Sequence, residues 1–262
     1  MDALKLLIKH RNSETFISID NHISLLVWFT SNEDRNEKKL SGVTFTYASE
    51  ANISENEKSI ISKIKYFFNS KNILILDIIF NNNCDSFIIN REKFNESEAI
   101  NYINKFFQLP PKNDDNQNAK PINKKTQVQD KFHIWSRNKF HPNRVIKQDI
   151  DVLSFRKNNF TIYEVKRSNR PPNWKPYKDD INNYESLFIF QNYLGCKFIT
   201  LNHPAVQEAN DDFKEILHNQ AIRAFKNEIA NLSFDNFVAT PPVIYTYNKD
   251  SDTLKKKEDE SV

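Results

Sequence analysis

The chain has 262 residues, of which 39% are hydrophobic and 13% aromatic, and only two are glycines. This composition supports a packed core and argues against a disordered chain. Gly42 and Gly195 are too few to build a Rossmann fingerprint or a P-loop, so glycine-rich nucleotide-binding loops are excluded. Cys84 and Cys196 lie far apart in the sequence, which argues against a disulfide framework or a thiolate zinc site. This cysteine usage favours the reducing environment of the cell interior.

The N-terminal apolar stretch is too short for the hydrophobic region of a signal peptide. No apolar run approaches the roughly 18 residues that a membrane-spanning helix needs. We therefore expect a cytoplasmic protein that does not act at a membrane.

Positive charge is concentrated in one part of the chain, although the formal net charge is only +3. Residues 131–178 contain 12 lysines and arginines but only three acids. Surfaces that bind phosphate have this character. A solvated basic face has it too, so the charge count alone does not decide between them.

Residues 1–108 predict a small α+β domain. Strand-like runs come first, namely LKLLI, TFISI, ISLLVWFT and VTFTY. Ser54 and Glu57 form a capping-box pattern before a helix, NILILDIIF predicts a buried strand, and Asn95 with Glu98 opens a last helix. The domain contains no catalytic constellation, so recognition, partner binding and dimerisation all remain open as its role.

Residues 109–125 are polar, contain three prolines and lack an apolar period, so they predict a linker. Residues 126–247 predict a second domain in the order helix, strand, strand, helix, strand, helix, strand. Residues 248–262 are rich in charge and predict a disordered tail.

Within the second domain, a short helix is predicted from Thr126 to Trp135. NRVIKQDIDVLSF is predicted to be one strand, RKNN a hairpin turn and FTIYEVKRS the next strand. A helix is then predicted to begin near Pro176 and to be capped by Gly195. CKFITLNHP is a further strand, a third helix is predicted to begin at Pro204, and FVATPPVIYTY is the last strand.

The candidate chemistry lies in the two strands of the predicted hairpin. Glu164 and Lys166 are two positions apart, so they project from one face, while Val165 lies on the opposite face, which is expected to be the core. Asp149 and Asp151 share a face of the preceding strand in the same way. Antiparallel pairing makes the carboxylates neighbours, and they can then hold a hard divalent cation. A lysine beside them can orient a metal-bound water, whose pKa the metal lowers towards about 7.

The segment IDVLSFRKNNFTIYEVKRS, with its aspartate followed across a hairpin by Glu-x-Lys, resembles the PD-(D/E)xK nuclease superfamily. The resemblance covers about residues 126–200 and implies a restriction-endonuclease-like mixed sheet flanked by helices. It also implies a Mg²⁺- or Mn²⁺-dependent cut in a nucleic acid. By position, Asp151 and Glu164 would be metal ligands, the Val165 carbonyl a third ligand, and Lys166 the group that positions the attacking water.

The sequence departs from the family pattern in two places. Ile150 stands where a proline commonly precedes the aspartate. The family often has a glutamate on the preceding helix, whereas Asp130 is the only acid between Pro121 and Gln148 in this chain. A second metal site therefore stays open.

Further candidates surround the central three residues. The residues expected to contact phosphate are Arg167, Ser168, Arg170, Lys175 and Lys178. The accessory candidates are Asp130, Asp149 and Tyr184.

The sequence thus predicts a metal-dependent endonuclease that acts on DNA, of the restriction or defence kind. Duplex cutting usually needs two active sites, so a homodimer or a partner-bound form is expected. A nuclease of the same class that acts on RNA or branched DNA is one alternative. A non-catalytic nucleic-acid-binding module on a nuclease-like fold is another, and solvent-face charges of an amphipathic hairpin are a third.

Overall fold

The computed structural model describes residues 14–17, 23–32, 37–49, 53–112, 131–156, 159–168, 181–204, 212–217, 243–248 and 253–256. Within these residues the chain is mixed α/β, with four helices and two mixed sheets. It divides into two compact units, one formed by Ile17–Ile150 and the other by Met1–Phe16 with Asp151–Val262.

The described elements have the following bounds. The helices are α1 (Glu55–Ser70), α2 (Glu96–Phe107), α3 (Lys131–Lys139) and α4 (Ile181–Leu194). The strands are β1 (Glu14–Ile17), β2 (Ile23–Ser31), β3 (Lys38–Ala48), β4 (Ile75–Phe80), β5 (Ser86–Ile89), β6 (Glu92–Asn95), β7 (Val145–Asp149), β8 (Val152–Arg156), β9 (Asn159–Ser168), β10 (Lys197–Pro204), β11 (Asp212–Leu217), β12 (Val243–Asn248) and β13 (Thr253–Lys256).

The unit Ile17–Ile150 contains a sheet with the order β6-β5-β4-β3-β2-β7. β3 and β4 are parallel and are joined through α1, while the other neighbours are antiparallel. Both predicted capping boxes are confirmed, because the side chains of Ser54 and Asn95 accept from the N–H groups of Glu57 and Glu98. The core of this unit is aromatic, and Trp28, for example, stacks on Phe107 at 5.6 Å between ring centroids.

The second unit contains the sheet β1-β8-β9-β10-β11-β12-β13. β9 and β10 are parallel and are joined through α4. The pairs β8–β9, β10–β11, β11–β12 and β12–β13 are antiparallel. Gly195 ends α4 with a positive φ of 66°, as its predicted capping role requires.

The single strand predicted for NRVIKQDIDVLSF is wrong, because the segment forms two strands in different sheets. β7 ends at Asp149 and pairs with β2, whereas β8 begins at Val152 and pairs with β9. Ile150 is fully buried, and its N–H donates to the carbonyl of Leu25. The division between the compact units falls after Ile150. Of the predicted linker, residues 113–125 lie outside the described residues.

Two further predictions from local pattern are wrong. The helix predicted to begin at Pro204 does not include residues 212–217, which form β11 between β10 and β12. The tail predicted to be disordered, residues 248–262, contains β13, which pairs with β12. The helix predicted from Thr126 to Trp135 spans Lys131–Lys139, and the β5–β6 hairpin was not predicted.

None of the helices in the described part of the chain is long and apolar enough to cross a membrane.

Candidate functional site

The β8–β9 hairpin places Asp151 beside β9. The register pairs Val152 with Tyr163 and Arg156 with Asn159, so one further step puts Asp151 level with Glu164. The Oδ2 atom of Asp151 accepts a hydrogen bond from the N–H of Val165 at 2.7 Å. The carboxylate is therefore attached to the backbone of the residue between Glu164 and Lys166.

Glu164 and Lys166 share a strand face, as predicted, but that face is buried as well as the opposite one. The same face carries Phe160 and Ile162, which are buried, and Glu164 itself is only 6% exposed. Val165, which was expected to face the core, is half-buried. Tyr163, on the Val165 face, is also buried, so both faces of β9 are covered and Glu164 lies at the polar end of an otherwise apolar face.

Helix α4 covers this face of the sheet. The Tyr184 and Phe188 rings lie 6.0 and 5.2 Å from the ring of Phe198, which is paired in register with Ile162 of β9. Tyr184 also reaches Lys166, whose Nζ atom lies 6.0 Å from the centre of the tyrosine ring. The structure thus brings the accessory candidate Tyr184 to the predicted site.

Lys166 is held by charge as well as by packing. Its Nζ atom forms an ion pair with Oε1 of Glu164 at 2.9 Å, and the two side chains are 21% and 8% exposed. An ion pair this shielded from water is screened far less than a surface pair. The ammonium therefore lies close to both the Glu164 carboxylate and the Tyr184 ring.

Strand β10 adds two polar residues that the sequence analysis missed. Thr200 and Asn202 pair in register with Glu164 and Lys166, and both are fully buried. Directly paired residues project from the same sheet face, so the four side chains share one surface. The signal was present in CKFITLNHP as two polar residues at alternate positions of an apolar strand, but only the pairing shows which residues they face.

The donor set is compatible with a hard divalent cation. Asp151 and Glu164 supply carboxylate oxygens, which are ligands that hard divalent cations prefer. No group of three or more His, Cys, Asp and Glu side chains suited to a metal occurs in the described ranges. Mg²⁺ commonly binds through only one or two protein carboxylates and keeps several waters, so a pair of carboxylates meets its requirement.

No protein-family model and no curated protein matches this chain in sequence.

The remaining candidates lie elsewhere in the described elements or outside the described residues. Asp149 lies in β7, in the other compact unit, where its Oδ1 atom accepts from Nε2 of Gln148 at 3.3 Å. The backbones of Arg167 and Ser168 continue β9 and pair with His203 and Pro204. The candidates that lie outside the described residues are Asp130, Arg170, Lys175 and Lys178.

Proposed function

We propose that this chain is a metal-dependent endonuclease that hydrolyses phosphodiester bonds in DNA, of the restriction or defence kind. The observation that carries the proposal is the joining of Asp151, Glu164 and Lys166 across one hairpin. Asp151 accepts a hydrogen bond from the N–H of Val165, which lies between Glu164 and Lys166 in sequence, and Lys166 forms an ion pair with Glu164. Buried charged groups are costly unless they are paired, and such groups concentrate at functional sites.

The cation would be held by oxygens from both strands. The N–H and C=O of one strand residue point to the same edge, so the Val165 carbonyl lies on the Asp151 side, together with its N–H. It is therefore placed to join Asp151 and Glu164 as a third oxygen ligand. A bound Mg²⁺ or Mn²⁺ supplies Lewis-acid stabilisation of phosphoryl charge and lowers the pKa of a bound water.

Lys166 has a separate role in this proposal. Its ammonium group has three donors and lies next to the carboxylate of Glu164, so it can orient an attacking water towards the phosphorus. The low exposure of both side chains strengthens their electrostatic interaction relative to bulk water. Lys166 thus acts on the reacting atoms, whereas Asp151 and Glu164 bind the cation.

The topology around the site is in keeping with the restriction-endonuclease-like fold. An antiparallel hairpin carries the three residues, and α4 crosses over to a parallel neighbour, β10. We propose this fold for the unit that contains Asp151–Val262. Since duplex cleavage usually needs two active sites, we also propose that the enzyme acts as a homodimer.

A non-catalytic binding module is the second candidate. It would use the same basic region of the sequence without a chemical step. The set of Asp, Glu and Lys is complete in this chain and close-packed, which favours the enzyme, because binding alone does not require these three groups together.

Cleavage assays on four substrates test the proposal. Supercoiled plasmid, linear duplex, single-stranded DNA and RNA are incubated with the protein and Mg²⁺ or Mn²⁺, with a chelator as the blank. We expect cleavage of duplex DNA by the wild type and none by Lys166→Ala. Lys197→Ala is the matched control, because Lys197 is an exposed lysine at the far end of β10. If the wild type binds nucleic acid but cleaves none of the four substrates, the non-catalytic binding module is favoured. If it cleaves RNA alone, the substrate is RNA and not DNA.

A further inference from the structure

We propose that Asn202 is a positioning residue that sets the placement of Lys166. The inference rests on the proposed nuclease function, in which the lysine acts on the attacking water. It adds a residue of β10, a strand outside the hairpin that carries Asp151, Glu164 and Lys166.

The contact is specific. Asn202 is paired in register with Lys166 in the parallel β9–β10 ladder, and its Nδ2 atom donates to the Lys166 carbonyl oxygen at 3.2 Å. The side chain is fully buried. The Asn202 amide therefore contacts the main chain of Lys166, the lysine of the candidate site.

An asparagine at this position needs an explanation from its surroundings. Asparagine is depleted in strands, and a buried amide is costly unless it is hydrogen-bonded. Phe198, on the same face of β10, is apolar and fully buried, so burial on this face does not itself require an amide. The bond to Lys166 compensates for the burial of the amide.

The contact with Asn202 fixes the backbone position from which the Lys166 side chain extends. The backbone is anchored at the carbonyl by Asn202, and the ammonium is anchored by Glu164 at 2.9 Å. With both ends held, the long lysine side chain keeps few alternative rotamers. Small errors matter here, since a misplacement of about 1 Å can reduce catalysis by about 100-fold.

Asn202→Asp removes the donor with almost no change of volume. The acceptor-only carboxylate repels the Lys166 carbonyl, so the end of β9 should shift. We expect kcat on duplex DNA to fall by about 10- to 100-fold while KM changes little, because substrate binding does not use this contact. Asn202→Ser retains a small hydroxyl donor and serves as a milder variant if the aspartate form does not fold.

Ser186→Ala is the matched control. Ser186 is also fully buried, and its Oγ atom donates to the Asn182 carbonyl at 2.9 Å within α4. Both substitutions therefore remove one buried side-chain-to-carbonyl bond in the same unit. A general loss of stability should affect both variants, whereas misplacement of Lys166 should affect only the Asn202 variants.

A second measurement does not depend on cleavage. Reductive methylation followed by mass spectrometry gives the modification rate of Lys166 relative to the exposed Lys197. We expect this ratio to change in the Asn202 variants and to match the wild type in Ser186→Ala. Folded Asn202 variants with wild-type kcat and a wild-type labelling ratio would overturn the inference. If the wild type does not cleave but the labelling ratio still depends on Asn202, the nuclease proposal fails while the link between Asn202 and Lys166 stands.

Discussion

The carboxylate of Asp151 accepts a hydrogen bond of 2.7 Å from the N–H of Val165, the residue between Glu164 and Lys166. This bond ties the start of β8 to the centre of the site on β9. Because Glu164 and Lys166 flank the donor in sequence, the three charged groups are held together on one hairpin. Such preorganisation is what a metal site and a catalytic lysine both require.

Asp151→Asn should abolish binding of Mn²⁺ or Mg²⁺ while preserving the fold. The amide oxygen can still accept from the Val165 N–H, so the hairpin contact survives, but the negative charge needed by a hard cation is lost. Isothermal calorimetry with Mn²⁺ provides the measurement. Glu92→Gln, at an exposed position of β6, is the control for loss of one carboxylate. If Asp151→Asn binds Mn²⁺ as tightly as the wild type, the cation does not bind at Asp151.

Lys166→Met should destabilise its unit more than the double variant Glu164→Gln/Lys166→Met. The single change leaves a buried carboxylate without its cation, and the partial exposure of the lysine limits the expected loss to about 2 kcal/mol. The double change removes both charges and should recover part of this loss. These proteins form a double-mutant cycle. Urea unfolding of the wild type, Glu164→Gln, Lys166→Met and the double variant gives the coupling energy between the two side chains. A coupling energy of zero would mean that the ion pair does not contribute to stability.

The sequence predicted the features that depend on near neighbours. The caps at Ser54 and Asn95 involve residues three positions apart, and the shared face of Glu164 and Lys166 follows from strand geometry. It did not predict which sheet a segment joins. The carbonyl that pairs with Ile150 belongs to Leu25, which lies far away in sequence.

The same limit explains the errors at the site itself. The alternation of β9 is visible in the sequence, but the packing of α4 on the sheet is a tertiary contact, so the burial of Glu164 was not predicted. Asn202 was missed because its contact with Lys166 exists only after β10 pairs with β9. In β11, local periodicity suggested a helix, and pairing with two strands overrides such a preference.

Gly42→Ala should be far more destabilising than Gly195→Ala. A Cβ at Gly42 would lie 2.4 Å from the Phe107 ring and 2.7 Å from the Leu74 carbonyl oxygen, whereas nothing lies within 4 Å at Gly195. Overpacking and a positive φ together should cost about 3 kcal/mol at Gly42, against about 1 kcal/mol for the left-handed backbone alone at Gly195. Thermal unfolding compares the two variants. Equal losses would contradict the close approach of α2 to β3.

Lys147 is a buried lysine in the Ile17–Ile150 unit, separate from the candidate site. Its Nζ atom donates to the Ser136 carbonyl at 2.9 Å and lies 5.8 Å from the Trp28 ring and 5.6 Å from the Phe140 ring. Burial, together with the smaller effect of the nearby cations Arg137 and Lys112, lowers the pKa of Lys147 from 10.5 to about 7. The folded chain therefore releases this proton more readily than the unfolded chain.

The stability of this unit should rise as pH increases from about 7 towards 10.5, the window between the folded and ordinary pKa values. Across that window the unfolded state carries more protons, so one such lysine contributes about 1.4 kcal/mol per pH unit. Lys147→Met should remove the slope and stabilise the protein at neutral pH. Lys105→Met, at an exposed position of α2, should leave the slope unchanged. Denaturant unfolding at several pH values measures the free energy of unfolding against pH. If Lys147→Met keeps the wild-type slope, Lys147 is not the source of the pH dependence.

Cutting and binding should be separable in this protein. Lys166 is proposed to act on the attacking water, so Lys166→Ala should bind duplex DNA nearly as well as the wild type and fail to cut it. The basic residues Arg170, Lys175 and Lys178 are expected from the sequence to neutralise phosphates. Replacing all three with alanine should weaken binding and flatten its salt dependence, by about 0.9 in the logarithmic slope for each lost contact.

Fluorescence anisotropy at several salt concentrations measures the slope, and a plasmid assay measures the cut. The triple variant should recover cleavage when salt is lowered, because its site residues are intact and only substrate capture is impaired. Lys166→Ala should not recover at any salt concentration. If Lys166→Ala cuts normally while the protein still binds DNA, the site is assigned to the wrong residues. Binding by the wild type without any cut would instead favour the non-catalytic module.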